Sequence, residues 1–153
     1  TGTIVSNLMG QGQYKRVFAA IQNIVLLSFV TTLVVSLPLL IFPGEFVQYT
    51  LNPTLETLVP ASVPVMYVMV VALLVYSVSL IVFHGIVSTG SVRVSLIIMI
   101  FTVVVYLVFV HFIFQMTYIT VPIAWTCEIF YWLLQLIIAF LYFRSGHWVK
   151  TKI

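Results

Sequence analysis

The stretch that decides the fold is Val94-Ser95-Leu96-Ile97-Ile98-Met99-Ile100-Phe101-Thr102-Val103-Val104-Val105-Tyr106-Leu107-Val108-Phe109-Val110-His111-Phe112-Ile113-Phe114. It contains no Lys, Arg, Asp or Glu and exceeds the roughly 20 residues that an α-helix needs to cross a hydrocarbon core of about 30 Å. A membrane strand would alternate apolar and polar positions. Runs such as Ile97-Ile98-Met99-Ile100-Phe101 do not, which excludes a β-barrel. The valine and isoleucine content reflects lipid as the solvent, and helix is the spanning form.

Outward from this segment the same chemistry repeats. The 153 residues are 63% hydrophobic and 6% charged, with six Lys/Arg and three Asp/Glu, against roughly 25% charged in a soluble domain. That excludes a water-soluble fold, a disordered chain and a nucleic-acid binder, which needs a clustered basic face. The single cysteine, Cys127, allows neither an internal disulfide nor a cysteine metal site.

The fold class read from this pattern is all-α, a polytopic membrane bundle of four full spans plus the end of a fifth helix. The spans cover about 17–42, 57–85, 93–114 and 119–143, with 144–153 as a tail. The first, of about 26 residues, is about 39 Å long and should tilt or kink, with Pro38 as the place. It is too long for a signal peptide and lacks a cleavage site. Pro60 and Pro64 open the second span, Gln115 to Tyr118 break the long run after the third, and Pro122 opens the fourth. Gly85 and Gly90 bracket the loop between the second and third spans, and Gly10 and Gly12 end the N-terminal segment. Thr1 to Gly10 reads as the last turns of an interrupted helix, and the chain as a fragment.

Charge gives the orientation. Lys15 and Arg16 precede the first span, Arg93 follows the second, and Arg144, Lys150 and Lys152 follow the fourth, whereas the loop after the first span carries Glu45 and Glu56. All six bases fall on one side, which the positive-inside rule assigns to the cytoplasm, so both ends of the chain are expected there and the membrane is the inner (plasma) membrane.

Glu128 is the one acid inside a span, within about 5 Å of the midplane by the helix rise. A charge near a helix centre costs roughly 2.5–3.5 kcal/mol on insertion scales, so this carboxyl is expected to be neutral, to face a wet cavity, or to pair with a base. One reading is a coupling site for H+ or Na+ in a transporter; the other is a neutral acid that hydrogen-bonds neighbouring helices. Trp125, Tyr131, Trp132 and Gln135 lie within about 60° of it at helical spacing, an aromatic and polar face suited to an organic cation. His111 on the third span is a relay candidate if the third and fourth spans pack as an antiparallel pair. Asn23, beside Gln22 on the first span, is a further cavity candidate. Ser28, Thr32 and Ser36 recur every four residues as a packing seam. No metal-ligand spacing, nucleophile elbow or phosphate loop is present, so neither an enzyme nor a bound cofactor beyond the coupling ion is expected.

Three segments carry a resemblance: Val5-Ser6-Asn7-Leu8-Met9-Gly10-Gln11-Gly12 before a long helix, Ser88-Thr89-Gly90-Ser91-Val92-Arg93, and Ile123-Ala124-Trp125 leading to Phe143-Arg144-Ser145-Gly146-His147-Trp148-Val149-Lys150. In order and spacing they resemble the C-terminal part of the multidrug and toxic compound extrusion (MATE) family. The resemblance implies two pseudo-symmetric six-helix lobes, of which this chain is a partial C-terminal one lacking its N-terminal partner lobe. It implies export of cationic or amphipathic organic compounds in exchange for protons or sodium by alternating access. The chain departs from the family pattern in carrying Gln13 and Ser91 where many members have an acid, and in having no acid between Thr57 and Gly85, where sodium-coupled members have one. The alternatives are a lipid-linked saccharide flippase of related fold, which would need bases that no span here contains, and a non-transporting membrane scaffold.

Overall fold

The structure, a computed structural model, describes residues 1–50, 59–115 and 118–150. Glu56, Thr57, Met116, Thr117 and Lys152, which enter the readings above, lie outside the described residues. The elements are α1 (Gly2–Gly10), α2 (Tyr14–Ile41), α3 (Pro43–Thr50), α4 (Val59–Ser88), α5 (Val92–Phe114), α6 (Val121–Ser145) and a 3-10 turn (His147–Lys150). Among the described residues there is no strand, and α2, α4, α5 and α6 are long and apolar enough to cross a bilayer. The chain is a multi-pass helical membrane protein.

Burial is inverted relative to a soluble bundle. Val35 is 70% exposed and Leu27 68%, because lipid solvates such side chains as well as a protein core does. What is buried is the seam between helices. α4 is the centre, packed against α2 on one side and α6 on the other, and α5 packs chiefly on α6. The core cluster sits toward the basic end of the bundle and includes Val5, Val17, Ile21, Val82, Ile86 and Phe143. Ser36, on the expected hydroxyl seam of α2, is buried.

Gly85 corrects one reading. It lies inside α4, which continues to Ser88, and does not border the loop. A Cβ there would stand 2.8 Å from Cδ1 of Ile21 and 3.0 Å from Cζ of Phe143, so the missing side chain lets α2, α4 and α6 meet at one point. The reversal is made by Gly90 alone, at φ 83°. Ser91 at this turn accepts a 3.0 Å hydrogen bond from the Tyr142 hydroxyl of α6, and Thr89 Oγ1 donates to the Ile86 carbonyl at 2.7 Å.

A second correction concerns the segment after the first span. Its beginning is α3, not a loop, and Val47 is buried where α3 packs back on α4 and α2. Pro43 cannot donate to the preceding turn, so α2 stops and a new helix starts at that residue. Pro38 is carried within α2. At the other end, Gly146 closes α6 in the left-handed conformation (φ 70°), and the tail turns back so that the Trp148 indole donates to the Phe143 carbonyl at 2.9 Å.

Candidate functional site

Glu128 is half-buried on α6 and opens onto a cleft of ≈ 240 Å³ between α4 and α6. Trp125 and Trp132 of α6 and Met69, Ala72, Leu73 and Tyr76 of α4 line it. The helix period places residues three and four positions from Glu128 on its own face, which is why two tryptophans flank the carboxyl. From α5, the Tyr106 hydroxyl donates to Oε1 of Glu128 at 3.3 Å. No Lys or Arg falls within α4 or α5 beyond Arg93 in the first turn of α5, so the carboxyl has no base from these helices at its depth.

The rings form a continuous wall. Tyr76 and Trp132 meet edge to face with centroids 4.6 Å apart, Tyr131 and Trp132 at 4.7 Å, and Tyr106 and Tyr131 at 5.3 Å. These distances lie in the favourable range for edge-to-face pairs, which fixes ring orientation around the acid. Four aromatic side chains and one carboxyl on three helices make a site in which a cation gains charge attraction and ring-face contact together.

The candidate residues named from sequence divide. Glu128, Trp125 and Trp132 share the cleft, and Tyr131 stands against its wall. Gln135, two turns along the same face, is buried in the bundle and its Oε1 has no hydrogen-bond partner. Ser79 Oγ on α4 is likewise buried and unpartnered. α5 and α6 do pack together, but the relay reading of His111 is corrected: its Nε2 lies 2.8 Å from Nε2 of Gln115, one turn away on an exposed surface. Tyr106, deeper on α5, takes the position opposite Glu128. Asn23 is exposed on α2 and does not line the cleft.

Tyr106 and Tyr76 are the site residues that sequence reasoning did not find. For Tyr106 a signal existed, since it and Glu128 lie at equal sequence distance from Thr117, the centre of the segment joining the third and fourth spans. Two antiparallel helices joined there place them at one depth. For Tyr76 none existed, because its pairing with Trp132 requires knowing that α4 and α6 are neighbours.

Comparison with curated proteins and with solved structures returned no match. The family model MatE matches residues 1–113, which takes in α1 to α4 and nearly all of α5. With the helical membrane architecture in place, that match over most of the chain shows that it belongs to the MatE family of membrane transporters.

Proposed function

We propose that this MATE-type transporter is a secondary active antiporter that exports cationic or amphipathic organic compounds in exchange for an inward-moving cation by alternating access. The observation that carries the reading is the Glu128 carboxyl opening onto a cleft walled by tryptophan and tyrosine. In the outward-facing state a proton from outside neutralises Glu128 and weakens its hold on the cargo; inward opening returns the proton to the cytoplasm. One carboxyl and one phenol offer few oxygens to a dehydrated metal cation, so H+ fits this cleft better than Na+. The setting is the inner membrane, with the basic ends of α2, α5 and α6 on the cytoplasmic side.

The test is Glu128→Gln in the transporter, assayed in everted vesicles by substrate-driven release of protons from the lumen. The variant should reach the membrane in normal amount, retain helical content and lose the response. An unchanged response would remove Glu128 from the mechanism and favour the reading of a helix-associating hydrogen bond.

A further inference from the structure

A second feature lies further along α4 and α6 toward the basic end of the bundle, away from Glu128. A groove of ≈ 490 Å³ runs between α2, α4 and α6, lined by Phe18, Ile21, Val25 and Phe29 of α2, Val82 of α4 and Phe140 of α6 among others. Gln22 is the one polar side chain lining it. At the end of the groove is a recess of ≈ 590 Å³ lined by Tyr14, Lys15, Arg144 and Trp148. Phe18 and Phe143 line both, so the two spaces meet.

We infer that groove and recess together bind one anionic phospholipid, with its phosphate between Lys15 and Arg144 and an acyl chain in the groove.

Length, charge and shape support this independently. From Phe18 to Phe29 the helix rises about 16 Å, roughly half of a 30 Å hydrocarbon core and therefore the depth of one leaflet's acyl chain. The two bases stand at the mouth of an oily slot, and no described acid shares that end of the bundle. Glu45 lies on α3, beyond the far end of α2, and Glu128 lies in the first third of α6, about 24 Å by the helix rise from Arg144. A pair of uncompensated bases between spanning helices at the membrane surface is the chemistry that holds an anionic headgroup. Tyr14 and Trp148 frame the recess as interfacial aromatics do. Trp148 is held in place by its bond to the Phe143 carbonyl, and the Gln22 amide is placed to donate to an ester oxygen of the glycerol backbone. The groove's ≈ 490 Å³ is well under the roughly 1,300 Å³ of a helix about 10 Å across and about 16 Å long, which favours a single acyl chain as its occupant.

The site does not depend on the transport reading. The experiment places the transporter in nanodiscs of equimolar phosphatidylglycerol and phosphatidylcholine, releases it into mild detergent, and counts retained lipids by native mass spectrometry. Each base near the surface contributes about fivefold to anionic-lipid preference, so phosphatidylglycerol should be retained at least about tenfold over phosphatidylcholine. Lys15→Gln with Arg144→Gln should lower the preference to less than about twofold. Leu26→Trp, at a groove residue that is 63% exposed, should remove retained phosphatidylglycerol with both bases present. Equal retention of the two lipids by the unmodified chain, an unchanged preference in the double variant, or a second copy of the chain retained in place of lipid would each overturn the assignment.

Discussion

The phenolic hydroxyl of Tyr106 on α5 donates to Oε1 of Glu128 on α6 at 3.3 Å, longer than the 2.7–2.8 Å usual for a hydroxyl donor. The bond ties two helices at the depth of the acid and leaves the carboxyl's other side open to the cleft. Its length makes it a weak restraint, easily exchanged for another partner.

Removing that hydroxyl therefore has a modest effect. Intramembrane hydrogen bonds average about 0.6 kcal/mol, so Tyr106→Phe should slow transport about threefold without lowering the amount of protein in the membrane. Transport rates in everted vesicles, set beside Glu128→Gln, check the ordering. A Tyr106→Phe defect as complete as that of Glu128→Gln would give the phenol a larger part than its geometry allows.

Cleft access has a built-in control in Cys127, the chain's one cysteine, which is 2% exposed. The unmodified protein should resist a polar, membrane-impermeant thiol reagent. With Cys127→Ala as background, Trp125→Cys, placed where the native side chain is 40% exposed and lines the cleft, should react at least about tenfold faster than Cys127, since only thiols in contact with water ionise readily. Labelling rates by mass shift report this directly. Equal inertness of both positions would mean a sealed bundle.

The junction at Gly85 predicts a size limit. Replacing Gly85 by Ala gains up to about 1 kcal/mol of helix propensity while forcing a methyl against Ile21 and Phe143, so the net change is small. Gly85→Val adds two more carbons against the same contacts and should cost about 2–3 kcal/mol. Thermal unfolding in detergent, followed by helical circular dichroism, should rank the native protein and Gly85→Ala together and Gly85→Val well below. A stable Gly85→Val would mean that α2 and α6 can separate freely at this level.

Trp148 is 6% exposed, donates to the Phe143 carbonyl and meets the Phe143 ring edge to face at 5.7 Å. Trp148→Ala should loosen the end of α6, raising hydrogen exchange of its last-turn amides at least about tenfold, the effect of losing little more than 1.4 kcal/mol. Trp148→Phe keeps the ring and loses the donor, and should fall between. Unchanged exchange in Trp148→Ala would show that Gly146 caps the helix unaided.

The four long helices were legible because lipid imposes one simple demand, about 20 apolar residues with all backbone groups paired within the segment. Ends were less so: α4 runs on to Ser88, since a glycine inside a spanning helix is a packing device as often as a stop. The segment Pro43 to Thr50 reads as part of the loop after the first span, yet folds as a helix because Val47 can be buried against α4. At the site, Glu128 and its tryptophans were visible because they share one helix face. His111 reads as a relay candidate because a second titratable group on the neighbouring span suggests one, but it stands beside Gln115 on an exposed face, and Tyr106 is the residue of α5 that meets Glu128. Contacts across helices that are distant in sequence, such as Tyr76 with Trp132, leave no periodic trace.

α5 leans chiefly on α6, while α2, α4 and α6 are knotted together at a single glycine. Shape change in this bundle is thus easiest along one line, with a three-legged frame standing still and the remaining leg swinging. Because Glu128 sits on the frame and Tyr106 on the leg, any such swing would be felt first at the acid, before a lipid-facing surface elsewhere had moved.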